Sequence, residues 1–136
     1  MAYMTWRPDL EVGHETMDAE HRTLVEALNR FHDAMAAGRG RAEVDRTLVF
    51  LRDYAVGHFT TEEELMVRHG FPDAAAHFAE HADLISRVSG FLAEHRTGRV
   101  RPAEEMLAFL EAWLLDHILV QDRELGAFLA QRGAAL

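Results

Sequence analysis

His58 and Glu62 stand four residues apart inside a run that otherwise reads as the apolar face of a helix. Leu51, Ala55, His58, Glu62 and Leu65 fall on one stripe, because steps of three and four residues stack side chains on one side of a helix. A carboxylate on such a stripe is costly unless its charge is compensated, and a metal ion would do that. The pattern recurs along the chain. His21 shares a stripe with Leu24, Val25, Leu28, Phe31 and Met35. His77 and His81 share one with Leu84, Ile85, Val88 and Leu92. His117 follows Met106, Leu110, Trp113 and Leu114, and Asp122 comes five residues after it. Five imidazoles and two carboxylates thus point inward. Imidazole nitrogens and carboxylate oxygens suit first-row transition metals such as iron, zinc or manganese. A carboxylate has two oxygens and is able to bridge two ions. This donor set is too large for one ion and suits two. Glu62 is preferred over Glu63 and Glu64 because it alone shares the face of His58.

The elements that must position these residues are four amphipathic segments. The first helix is expected to start near Asp18, a suitable N-cap or first-turn acid, and to end in the breaker stretch Ala37-Gly38-Arg39-Gly40. The second runs from about Ala42 to Arg68 and is stopped by Gly70-Phe71-Pro72. The third starts at the N-cap candidate Asp73 and closes at Thr97-Gly98. The fourth starts at Pro102, which suits a first helical turn, and frays near Gly133. Four such segments with short joints predict an all-α protein, an antiparallel up-down-up-down four-helix bundle. The expected organisation is a single domain over 1–136, with an N-terminal arm over 1–17 and the bundle over 18–136. Trp6 is the expected anchor of the arm.

In that topology His21 is early in its helix and His58 and Glu62 are late in theirs. His77 and His81 are early, and His117 is late. All four sets fall at one end of the bundle. His117 and Asp122 resist a regular helix, since five residues turn the second side chain by roughly 140° from the first. A π-type bulge, or an end-on reach by Asp122, is expected there.

Composition narrows the class. The 136 residues are 49% hydrophobic, enough for one packed core. There is no cysteine, which excludes disulfides, thiol catalysis and thiolate metal sites. The net charge of −9 argues against nucleic acid, which calls for clustered Lys and Arg. Residues 1–10 lack the basic start and apolar run of a signal peptide, and no apolar run reaches membrane-spanning length. A cytoplasmic protein with no membrane partner is expected. Of the nine histidines, His32, His69 and His95 fall outside the site; His32 is about 16 Å along the helix from His21.

The chain resembles the hemerythrins, in particular their single-domain bacterial members. The resemblance runs almost end to end. It rests on Trp6, the Val12-Gly13 turn, Asp18-Ala19-Glu20-His21, His58-Phe59-Thr60-Thr61-Glu62-Glu63, His77 with His81, and Trp113-Leu114-Leu115-Asp116-His117-Ile118 followed by Asp122. It implies a non-haem centre of two iron ions with a bridging oxo or hydroxo. His77, His81 and His117 would hold one iron and His21 and His58 the other, with Glu62 and Asp122 bridging both. The implied function is reversible dioxygen binding for storage, delivery or sensing, and a free carrier is the expectation. Leu119 is where the family places a side chain over the oxygen site, and Trp113 would line the same pocket. The alternative is a di-iron enzyme acting on peroxide, nitric oxide or a small substrate. The chain departs from the family at His14, where an aliphatic residue is usual, and Met17 and Glu20 are also unusual. His14 is expected as a solvated arm residue, with an approach to the metal pocket as the sharper possibility.

Overall fold

The computed structural model describes residues 3–38, 41–98 and 103–133. After a 3-10 turn at Pro8–Leu10 come α1 (Glu15–Ala36), α2 (Arg41–His69), α3 (Ala74–Arg96) and α4 (Ala103–Asp116). A π-helical segment, His117–Asp122, joins α4 to α5 (Arg123–Gln131). The residues flanking that segment, Asp116 and Arg123, both keep right-handed helical dihedrals, so α4, the π turn and α5 form one rod. No strand occurs among the described residues. α1 packs on α2 and α4, and α2 packs on α3, which is the expected up-down-up-down bundle. The expected helix start at Pro102 and the Arg39-Gly40 part of the first breaker lie outside the described residues.

The core follows the apolar stripes. Leu24, Leu28 and Phe31 of α1 meet Leu48, Leu51 and Ala55 of α2, Leu84, Val88 and Leu92 of α3, and Leu110 and Leu114 of α4. Burying each leucine or phenylalanine contributes about 1.5–3 kcal/mol relative to leaving it in water. Turn chemistry sets where the helices stop. Gly70 has φ 67°, the left-handed conformation that glycine adopts without a Cβ penalty. The Phe71 amide then donates back to the Met66 carbonyl at 2.9 Å, and both side chains are buried. This is a Schellman ending with its apolar contact. It brings Phe71 edge-on to His77 and delivers α3 antiparallel to α2.

The first helix starts earlier than Asp18. α1 begins at Glu15, and His14 is its N-cap, with Nδ1 accepting from the Met17 amide at 3.3 Å. His14 is therefore buried, at 5% exposure, and the solvated placement expected from its arm position is wrong. An imidazole nitrogen with a free lone pair does here what the oxygen of Ser or Asp does at most N-caps. Asp18 instead sits inside the first turns, and its Oδ1 accepts from the Val12 amide at 2.8 Å. That bond fastens the end of the arm to the helix it leads into.

The rest of the arm is tied across the bundle. Asn29 exchanges two bonds of 2.8 Å with the backbone of Met4. Tyr3 donates to Glu111 at 3.2 Å, and the Arg123 guanidinium donates to the Asp9 carbonyl. Trp6 is half-buried under the Arg22 guanidinium, so it shares the anchoring with the buried Met4 and Leu10. At Gly126 the arm lies on α5 itself. A Cβ there would stand 2.3 Å from the Val12 carbonyl oxygen, so the approach requires glycine.

Two stability predictions follow from these contacts. Gly126→Ala should displace the arm and cost about 1–3 kcal/mol, the usual range for overpacking, read as a lowered thermal midpoint. His14→Ala should cost about 1 kcal/mol through the lost cap, and His14→Asn should recover most of it. Denaturant melts in which all three His14 proteins coincide would refute the capping role.

Candidate metal centre

One layer of the bundle collects the polar residues of the inward stripes. His21, His58, Glu62, His77, His81, His117 and Asp122 are all at most 2% exposed. The side chains converge in two groups that share both carboxylates: Glu62, His77, His81, His117 and Asp122 in one, His21, His58, Glu62 and Asp122 in the other. Within each group the candidate ligand atoms lie within 4.8 Å of one another. His14, His32, His69 and His95 belong to neither.

The carboxylates divide their oxygens between the groups. Glu62 Oε1 lies 3.1 Å from His77 Nε2, 3.0 Å from His81 Nε2 and 3.7 Å from His117 Nε2. Its Oε2 lies 3.2 Å from His21 Nε2 and 2.7 Å from His58 Nε2. Asp122 does the same: Oδ1 is 3.0 Å from both His77 and His117 Nε2, and Oδ2 is 2.9 Å from His21 Nε2. Every histidine of the set turns Nε2 inward. The π segment makes the Asp122 half of this possible. Its wider turn returns a residue to the same face after five positions rather than four, so His117 and Asp122, both buried, face the same interior.

These contacts fit metal ligation better than a self-contained hydrogen-bond network. Both oxygens of Asp122 and Nε2 of His58 are buried yet make no hydrogen bond, despite lying at ion-pair distance from their neighbours. His81 Nε2 and His117 Nε2 face each other at 3.1 Å. Ring nitrogens and carboxylate oxygens converging on a common centre are what a cation would satisfy, and neutral imidazoles with carboxylates suit a first-row transition metal.

Electrostatics agree with the geometry. Burial pushes the His117 and His58 imidazoles down, but the carboxylates outweigh it. Asp122 and Glu62 carry His117 up to about 10, and Glu62 and Glu20 carry His58 up to about 9. His21 and His77 move upward for the same reason, against the same burial. Burial would raise the Glu62 carboxyl, yet His58 and the other imidazoles hold it well below the usual carboxylate range. Asp122 is also lowered: burial and the Glu62 charge oppose this, and the His117 and His21 contacts prevail.

The sequence marks Glu20 only as an unusual residue beside His21 and Glu63 only as an acid off the face of His58, and it leaves Glu80 unmarked; for none of the three does it indicate a bond to an imidazole. Each stands next to a donor residue in sequence, which turns it off the inward stripe, and each bonds an imidazole from behind. His58 Nδ1 is 2.7 Å from Glu20, His81 Nδ1 2.9 Å from Glu63, and His117 Nδ1 3.3 Å from Glu80. An acid flanking an inward residue is the available signal, but acids also flank inward residues on ordinary solvated helix faces. The aromatic supports are clearer. Phe59 stacks on His81 at 3.8 Å between centroids, and Trp113 stacks on His117 at 4.5 Å. One turn further into the bundle, Leu24, Leu28, Ala55, Val88, Leu110 and Trp113 line an apolar cavity of about 20 Å³. Leu119, half-buried, packs against the core from the π segment.

The chain matches the family model described as the hemerythrin HHE cation binding domain, over residues 12–129. It is 35% identical over 123 residues to a bacteriohemerythrin of Stenotrophomonas maltophilia, covering 90% of this chain and 79% of that one. It is 34% identical over 132 residues to a bacteriohemerythrin of Methylococcus capsulatus, covering 96% and 99%. A crystal structure of wild-type hemerythrin superposes with a TM-score of 0.88 at 32% identity, covering 94% of this chain and 98% of that one. No helix among the described residues is long and apolar enough to cross a membrane.

The charge pattern predicts how the metal-free protein responds to pH. His58 and His117 titrate above their ordinary 6.5, so their contribution is complete below about pH 6.5 and is lost as pH rises through about 9 and 10. Glu62 and Asp122 titrate below their ordinary 4.5 and 3.8, so theirs is complete above those values and lost only in stronger acid. Chelator-stripped protein should therefore melt at its highest temperature between about pH 4.5 and 6.5 and progressively lower towards pH 10. A melting temperature that is flat or rising over that alkaline range would contradict the charge assignment.

Proposed function

Because the chain belongs to the hemerythrin family, we propose that the buried donors hold two non-haem iron ions and that the protein binds dioxygen there reversibly. His77, His81 and His117 hold one iron, His21 and His58 the other, and Glu62 and Asp122 span both, with a solvent-derived oxo or hydroxo as a further bridge. The observation that carries this reading is the division of each carboxylate, one oxygen towards each histidine group. A pocket built for a single ion has no use for that arrangement. When bound, a ferrous pair supplies two electrons to dioxygen and recovers them when the gas leaves.

The chain's own residues suit a reversible binder. Five imidazoles against two carboxylates give a donor set poorer in anionic charge than the carboxylate-rich di-iron proteins, which carry Glu-x-x-His motifs on two helices. The three-histidine group plus two carboxylates supplies five protein ligands, while the two-histidine group plus the same carboxylates supplies four. The second position is thus the one with room for an exogenous ligand. The apolar layer beneath the donors excludes water and acids that would assist loss of reduced oxygen. The cavity within it, at about 20 Å³, is the size of one water-sized sphere and is walled by hydrocarbon. That suits a small apolar gas better than a polar substrate.

The test is a visible absorption spectrum of protein loaded with iron, reduced without oxygen, then exposed to oxygen, then purged. Metal analysis should return two iron ions per chain. A charge-transfer band should appear with oxygen and vanish on purging. A band that collapses irreversibly to an oxidised spectrum would replace the carrier with an enzyme or sensor, and the absence of any iron-dependent band would overturn the ligand assignment.

A further inference from the structure

The three outer carboxylates follow a rule that the donor set itself does not require. Glu20 of α1 bonds His58 of α2, Glu63 of α2 bonds His81 of α3, and Glu80 of α3 bonds His117, the first residue of the π segment after α4. Each helix presents an acid to the histidine of the next. In every case the acid is the immediate sequence neighbour of an inward donor: Glu20 precedes His21, Glu63 follows Glu62, and Glu80 precedes His81. One residue turns a helical side chain by about 100°, enough to move it from the bundle interior to the seam with the adjoining helix. The imidazoles are at most 3% exposed in their side chains, whereas the acids are 23%, 36% and 37% exposed. The acids therefore stand where the seam meets solvent, and Thr61 Oγ1 donates to the second oxygen of Glu20 at 3.3 Å. The series is open at two places. His21 Nδ1 and His77 Nδ1 are buried without a partner.

We propose that Glu20, Glu63 and Glu80 are positioning residues for the metal pair, acting on it through His58, His81 and His117. The proposal rests on the di-iron reading of the inner donors. A carboxylate behind Nδ1 keeps the proton on that nitrogen, so Nε2 is left as the lone pair that faces inward. It also fixes the ring plane and makes the imidazole a stronger donor to an oxidised metal. Because the acid and the imidazole come from different helices, correct ligation requires correct docking of α1 on α2, α2 on α3 and α3 on the π turn. Glu80 is the most informative member. Its helix already contributes His77 and His81, so through Glu80 α3 governs the orientation of every histidine in the three-histidine group.

The experiment uses the full-length iron-loaded protein. Glu80→Ala, Glu80→Gln and Glu20→Ala are compared with wild type and with Glu64→Ala, which removes the same charge from an exposed position on α2. Two properties are measured: anaerobic transfer of ferrous iron to a competing chelator, and the midpoint potential of the iron pair. Glu80→Ala and Glu20→Ala should each weaken iron retention by roughly 10- to 100-fold, the usual cost of losing such a partner. Their midpoint potentials should rise, because a weaker imidazole donor stabilises the oxidised pair less. Glu80→Gln keeps a hydrogen-bond acceptor, so it should recover retention more fully than it recovers the potential. Thermal melts of the metal-free Glu80 variants should stay close to wild type, which separates positioning from a general structural role, whereas metal-free Glu20→Ala loses the Glu20 share of the upward shift on His58 and should melt lower. If wild type retains two irons but the Glu80 and Glu20 variants match Glu64→Ala in both retention and potential, the positioning role is overturned and the di-iron reading stands. If wild type itself retains no iron, both are overturned.

Discussion

Two carboxylates without solvent exposure lie in the interior of this bundle towards one end, and the structure is arranged around that fact. Removing a carboxylate from water costs several kcal/mol even after a protein relaxes around it. Apolar packing offers no compensation, and five imidazoles compensate only if they are protonated or share a cation with the acids. The upward shifts of His58 and His117 show the first solution, available to the metal-free chain. The splitting of Glu62 and Asp122 between two histidine groups fits the second.

The surrounding fold serves the placement of those donors. Each helix stripe changes from apolar to polar at the same level, so the imidazoles and carboxylates form one layer and the leucines form the next. The apolar layer makes the site rigid and dry, and the aromatic rings of Phe59 and Trp113 wedge His81 and His117 against rotation. The arm closes the donor end of the rod formed by α4, the π turn and α5. Leu10 is fully buried, Val12 lies on Gly126, and the 3-10 turn contacts the π segment. A departure from regular helix at the centre of a bundle loses regular backbone bonding, and here it falls where five-residue spacing is needed to bring a carboxylate beside a histidine.

Membership of the hemerythrin family and the buried layer describe the same object from different sides. The family match spans residues 12–129 and therefore runs from the arm's last turn to α5. Two further contacts fall within that span and outside the buried layer. His14 caps α1 with a ring nitrogen, and Glu80 reaches from α3 to the last helix. Both are polar residues whose side chains act on a neighbour's backbone or ring, and neither belongs to the inner donor set.

The inner site was legible in the sequence because helical periodicity is a local property. Given spacings of three and four, His58 with Glu62 and His77 with His81 had to share faces, and the antiparallel order of four similar segments had to bring them to one level. Even the irregular turn was readable, since a five-residue gap between His117 and Asp122 is incompatible with a regular helix and a shared target. Tertiary structure decided what depends on a second element. Whether His14 meets water or a helix end depends on how the arm folds back onto α1, and the capping bond moved the helix start from Asp18 to Glu15. Whether Glu20, Glu63 and Glu80 are solvated acids or partners of imidazoles depends on which helix lies across each seam. Periodicity assigns a side chain to a face, and only the packing of a neighbour against that face determines what the side chain touches.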